Sequence, residues 1–137
     1  FEIKSLIKII EKTIILYKKR FSNSKDLIIK KWPSKSTLNA WYVKLIQQGY
    51  QNSHIHPDGW ISGVFYLKVP KFINKQDGSI KLTIDGYDYP VNKRLPSLVH
   101  SPKDFDLILF PSSLFHRTIP FRLKETRHVI AFDLIPL

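Results

Sequence analysis

The sequence contains no cysteine. Disulfides, thiolate metal sites and cysteine nucleophiles are thereby excluded, and any metal must be held by His, Asp or Glu. Long apolar runs are missing too. Nothing approaches the roughly 20 residues that a membrane-spanning helix needs, and lysines interrupt the N-terminal stretch where a signal sequence would keep an uncharged core. The expectation is a cytoplasmic protein with no membrane partner. Acidic residues are few, 11 against 22 Lys and Arg, for a net charge of +11. The excess is uneven: residues 1–35 hold ten basic and three acidic residues, a balance of +7, leaving +4 for the other 102. Arginine supplies only 5 of the 22 basic residues. A solvated lysine face on one helix is the reading this supports, in preference to a nucleic-acid surface. No internal repeat or low-complexity segment is visible. The first residue is Phe, which points to a longer parent chain of which this is the C-terminal part.

With 137 residues, 43% of them hydrophobic and 13% aromatic, the chain is expected to form one domain with a single core. From Ile3 to about Arg20, apolar residues fall at Ile3, Leu6, Ile7, Ile10, Ile14 and Ile15, the spacing of a helix that buries one stripe. Residues 1–35 are read as this helix and a connecting segment. The texture then changes to short runs rich in Val, Ile, Phe, Tyr and Thr, punctuated by Pro, Gly, Asn and Asp, which is a β signature. Strands are expected at Leu27–Trp32, Thr37–Gln47, Trp60–Val69, Ser79–Ile84, Leu95–His100, Asp106–Phe110, Leu114–Ile119 and Thr126–Ile135. Eight short strands after one helix predict a mainly β jelly roll, cupin-like, or a closed barrel, with its core over 37–137.

Three of the five histidines stand in unusual company. His54 and His56 flank Ile55, and because side chains on a strand alternate, both imidazoles point the same way. Asp58 is two residues beyond His56, so the segment reads equally as His-x-His or His-x-Asp. Either pair supplies two ligands of a facial triad that leaves positions open on Fe(II). His116 lies on a late strand that a jelly roll brings beside the early one, and is the third ligand. Arg127 follows His116 by eleven residues. If the chain reverses around Pro120–Leu123, the two face each other on adjacent antiparallel strands, with a guanidinium one side-chain length from the metal. Such a fork would take the far carboxylate of 2-oxoglutarate. Ser62 and Tyr66 share one face of the strand after the metal loop and are candidates to hydrogen-bond the same co-substrate. Of Trp41 and Tyr42, one is expected in the core and the other at the pocket mouth. The segment Asp85–Pro90 is a candidate lid or a plain exposed turn. Each feature alone has a bland explanation: a stray His-x-His, a core histidine, a surface arginine. Their conjunction carries the reading. His100 and His128 lack such company and are taken as structural.

The segments Gly49–Pro57, Trp60–Leu67, Leu107–Arg117 and Arg127–Asp133 resemble those of the 2-oxoglutarate- and Fe(II)-dependent oxygenases of bacteria and phages, some of which follow tetratricopeptide repeats. The likeness covers about residues 37–137. It implies a double-stranded β-helix, iron on His54 and His56, or on His56 and Asp58, together with His116, and 2-oxoglutarate on Arg127. Members of the family keep both histidines and vary the position of Asp58, which favours His54 and His56. The function implied is a dioxygenase that uses O2 and 2-oxoglutarate, releases succinate and CO2, and hydroxylates a substrate that the sequence does not name. The rival is a cupin-like metal- or ligand-binding module without oxygenase activity.

Overall fold

A computed structural model describes residues 2–71, 74, 76–86, 90 and 94–137. The chain divides into two compact units, Phe1–Lys35 and Ser36–Leu137. In the first, α1 (Ile3–Arg20) follows the expected periodicity and ends on Lys18, Lys19 and Arg20, cations that complement the negative end of the helix dipole. The buried stripe is narrower than expected: Leu6, Ile10 and Ile14 are buried, whereas Ile3, Ile7 and Ile15 are exposed. A correction concerns the expected strand at Leu27–Trp32, which is instead a single helical turn, α2 (Leu27–Lys30). Its backbone is satisfied locally, by Lys30 N–H to Asp26 O at 3.0 Å and Lys31 N–H to Leu27 O at 2.8 Å. Apolar β-branched residues favour a strand only where a neighbouring strand receives them. No helix of the described residues is long and apolar enough to cross a membrane.

The second unit is mainly β. Among the described residues, eight strands, β1 (Ser36–Leu45), β2 (Gln51–His54), β3 (Ile61–Lys68), β4 (Ile80–Thr83), β5 (Ser97–His100), β6 (Leu107–Pro111), β7 (Phe115–Thr118) and β8 (Arg127–Pro136), form two four-stranded antiparallel sheets. Their orders are β1-β8-β3-β6 and β2-β7-β4-β5. The chain passes back and forth between the sheets, which is the double-stranded β-helix, or jelly roll. β3 sits centrally between β8 and β6 and is buried from Ile61 to Tyr66. Alternation sends Ser62, Val64 and Tyr66 inward, where Val64 and Tyr66 pack with Ile80 of the opposite sheet, Phe110 and Val129. At Gly63 a Cβ would stand 2.2 Å from the Phe132 ring and 2.8 Å from Ile108 O, so only glycine lets that ring lie on the strand.

The expected hairpin between His116 and Arg127 is not formed. β7 pairs with β2 and β4, and β8 pairs with β1 and β3, so the two residues lie in opposite sheets. Residues 119–126 cross from one sheet to the other. Ile119 donates to Ser79 O at 2.8 Å, Gln48 donates to Phe121 O at 2.8 Å, and the Phe121 side chain is fully buried. A buried aromatic anchors this segment where a tight turn would have exposed it. A third correction concerns the expectation that one of Trp41 and Tyr42 lies in the core. Both are exposed, at 40% and 53%, on β1, which is an edge strand among the described residues.

Candidate metal and co-substrate site

The ladder between β2 and β7 puts His54 directly opposite His116. The chain leaves β2 at His54 and turns at Pro57–Asp58, with His56 N–H donating to Ser112 O at 3.1 Å and Gly59 N–H to His56 O at 3.0 Å. His56 therefore returns to the same point. Ring centroids are 4.2 Å apart for His54 and His116, 4.9 Å for His56 and His116, and 5.2 Å for His54 and His56. One ligating nitrogen from each falls within 4.8 Å of the others. Asp58 is exposed in the turn and stands outside this group.

Each imidazole is oriented through the same ring nitrogen. Nδ1 of His54 faces Asn52 O at 2.6 Å, Nδ1 of His56 faces Asp133 Oδ1 at 2.6 Å, and Nδ1 of His116 faces Leu114 O at 3.2 Å. An oxygen acceptor at Nδ1 fixes the proton there and leaves the Nε2 lone pair free. Three imidazoles poised in this tautomer are a donor set suited to a divalent transition metal.

His116 is buried, and desolvation, assisted by the neighbouring His54 and His56, pushes its pKa down to about 4 from the usual 6.5. Between those values the unfolded chain binds a proton that the folded protein refuses, so stability falls as pH falls from above 6.5 toward 4. The metal-free protein is expected to lose about 2 kcal/mol from this residue between pH 7 and pH 5. Urea unfolding at the two pH values, in the parent and in His116→Asn, checks this: the variant should show a smaller pH-dependent loss by that amount.

Asp133, at the end of the Arg127–Asp133 segment, joins the site without having been among the candidate residues. It pairs with Ser62 across β8 and β3, and Ser62 donates to its Oδ1 at 2.6 Å while lying 2.8 Å from Ser112 Oγ and 3.2 Å from His56 Nδ1. The Ser62 hydroxyl is thus engaged with protein groups. An acidic residue within the apolar run Val129–Leu134 was the available signal, since a strand buries a carboxylate only beside a partner.

Arg127 reaches the same cavity by a route other than the expected one. It opens β8 opposite Leu45, and the alternation of β8 turns Arg127, Val129 and Ala131 into a cavity of ≈ 160 Å³ that His54, His56 and His116 also line. It is 2% exposed. Its guanidinium carbon lies 4.9 Å from the Tyr66 ring centroid, and among the described residues neither Arg127 Nε nor Tyr66 Oη has a hydrogen-bond partner. The two groups interact electrostatically without an aligned bond through these atoms. Burial lowers the Arg127 pKa and raises that of Tyr66, and each partly offsets the shift of the other. The Tyr66 backbone is held on both sides, by Asp106 O at 2.9 Å and Phe105 N–H at 2.7 Å. A buried cation with an unmatched donor beside an unmatched hydroxyl fits one end of a dicarboxylate.

Elsewhere, Trp41 stands at the cavity wall with its ring 5.6 Å from His56. His100 Nε2 lies 3.2 Å from Asp106 Oδ2, and His128 contacts Tyr42 Oη and Thr126 Oγ1, so neither joins the group. Of the candidate lid, residues 87–89 lie outside the described residues.

The model of the family described as "Putative 2OG-Fe(II) oxygenase" matches residues 39–133, about two thirds of the chain. The chain belongs to that family. Fe(II) and 2-oxoglutarate are the metal and co-substrate of such oxygenases, and the histidine group and the Arg127 pocket are chemically fit for them. Among solved structures, the chain resembles a prolyl-4-hydroxylase from Pseudomonas putida (TM-score 0.58, 13% identity, 73% of this chain and 52% of that one). It also resembles an oxidoreductase of the 2OG-Fe(II) oxygenase family from Burkholderia pseudomallei (0.55, 13%, 74% and 44%). A third is HygX from Streptomyces hygroscopicus with nickel and 2-oxoglutarate bound (0.53, 13%, 72% and 58%). At this identity the likeness shows the fold. The chain spans about half the length of these structures. No curated protein sequence matches it.

Proposed function

We propose that this chain is a 2-oxoglutarate-dependent dioxygenase that holds Fe(II) on His54, His56 and His116 and the far carboxylate of 2-oxoglutarate on Arg127 and Tyr66. The observation that carries the reading is the shared orientation of the three histidines. Each is tied by Nδ1 to an oxygen, which turns three Nε2 atoms toward one cavity that also holds a buried arginine. Fe(II) held by these histidines would supply the activation of O2, with one oxygen atom leaving in succinate as 2-oxoglutarate loses CO2 and the other inserted into a substrate C–H bond. The chain's own residues hold and orient the reactants. Val64, Ile80, Phe110, Val129 and Ala131 form apolar walls beside the donors, which keeps water away and strengthens each charge contact within. Ser62, also a candidate for the co-substrate, acts in this reading on the protein side, through Asp133.

Anaerobic titration with Fe(II) and 2-oxoglutarate tests metal and co-substrate together, through the visible charge-transfer band of the chelate. His116→Ala is expected to keep the fold and to weaken Fe(II) binding by about a hundredfold, the upper end of what loss of a mere supporting contact costs. His54→Ala should do the same, and Asp58→Ala should leave iron binding unchanged. The reverse pattern would assign the metal to His56 and Asp58. Production of succinate separates the dioxygenase from a cupin-like binding module, which makes none.

A further inference from the structure

We propose that Asp133 is a positioning residue for the metal, acting through His56 and supplying from one hydrogen bond away the negative charge that the three histidines lack. The inference rests on the reading of His56 as a ligand. In the two-histidine facial site a carboxylate binds the metal directly. Here the position two residues after His54 is His56, the three rings bring no anionic donor, and Asp58, exposed in the turn, is outside the group. The buried carboxylate of the site belongs to β8. Asp133 is 8% exposed, and its Oδ1 lies 2.6 Å from His56 Nδ1 and 2.6 Å from Ser62 Oγ.

Three features separate this contact from ordinary core satisfaction. His54 and His116 lean on backbone carbonyls, so His56 alone is oriented by a formal charge. A carboxylate at Nδ1–H pushes electron density toward Nε2 and makes that nitrogen a stronger donor. The carboxylate is itself immobilised: Ser62 and Ser112, 1% and 0% exposed, form a buried hydroxyl pair at 2.8 Å behind it, and β8 is flanked on both sides by β1 and β3. The ring of His56 therefore cannot turn without breaking a charge-assisted bond.

Co(II), added to the metal-free protein, is the probe. Asp133→Asn keeps the shape and an acceptor oxygen but removes the charge, and should weaken Co(II) binding by about tenfold; Asp133→Ala removes both and should approach a hundredfold. Ser62→Ala, which removes the donor that holds Asp133 Oδ1 but leaves the carboxylate beside His56, should weaken Co(II) binding less than Asp133→Asn does. In the parent itself, nitrogen-15 NMR should find His56 protonated at Nδ1 in the metal-free state, a readout that requires no variant to fold. His56 protonated at Nε2, or an Asp133→Asn that melts earlier yet binds Co(II) like the parent, overturns the proposal and leaves Asp133 a core residue. If His56→Ala binds Co(II) as the parent does, the reading of His56 as a ligand has failed and the inference falls with it. Loss in His56→Ala with parent-like binding in Asp133→Asn sinks the inference alone.

Discussion

Replacing Arg127 with methionine is expected to weaken 2-oxoglutarate binding by roughly a hundredfold to several thousandfold while leaving the co-substrate-free protein at least as stable as the parent. Both halves follow from the same burial. Arg127 is 2% exposed, faces the Tyr66 ring, and among the described residues has no carboxylate partner. A dicarboxylate that enters the cavity would supply one, and removing one member of a buried charge pair costs about 3–5 kcal/mol, which converts to the affinity loss stated. Without co-substrate, the buried cation is a liability, and a hydrophobic side chain of similar length removes its desolvation cost. Arg127→Lys keeps the charge but loses the fork and should fall between parent and Arg127→Met; Arg127→Ala should be as damaging as Met to binding. Calorimetric titration with 2-oxoglutarate, paired with melting of the metal-free protein, checks both. Fe(II) affinity alone should barely change. A 2-oxoglutarate affinity within about twofold of the parent would move the anchor to Arg117 or Arg122, of which Arg117 also lines the cavity.

That Arg127 reaches the cavity at all shows which part of the site was legible. Alternation along a strand is local, so the inward set of Arg127, Val129 and Ala131 could be read from residue parity, whereas His56 joins His54 through the turn that follows β2 and not by strand alternation. Pairing is not local. Eleven residues between His116 and Arg127 suit a hairpin or a crossover equally, and what decides is Phe121, whose burial against the rest of the fold no local pattern announces. The same limit explains α2, where Leu27–Lys30 had strand composition but folds as a helical turn closed by its own backbone bonds, and β2, too short and polar to be read as a strand apart from its partner β7. Asp133 was missed because its meaning lies in Ser62, which is 71 residues away in sequence and beside it only across the β3–β8 ladder.

The second large effect is expected at Phe110, which supports the histidine group by packing. His54 and His56 have close Nδ1 contacts at 2.6 Å, whereas His116 reaches Leu114 O only at 3.2 Å, the long end of the normal range. Its ring instead rests 4.8 Å from the centroid of Phe110, a residue 3% exposed in the cluster with Val64, Tyr66, Ile80 and Val129. Phe110→Ala is expected to cost about 3–5 kcal/mol of stability, from lost burial and the cavity left behind. Phe110→Leu should cost less, on the order of 1–2 kcal/mol, because it fills most of that space. Metal binding should follow the same order, since a vacated wall lets His116 swing from its rotamer: about tenfold weaker Co(II) binding for Ala, and less than threefold for Leu. Urea unfolding of the metal-free protein and Co(II) titration of the folded variants give the two numbers independently. If Phe110→Ala loses its stability but keeps parent-like Co(II) affinity, the bond to Leu114 alone orients His116, and the packing account of that ligand is wrong.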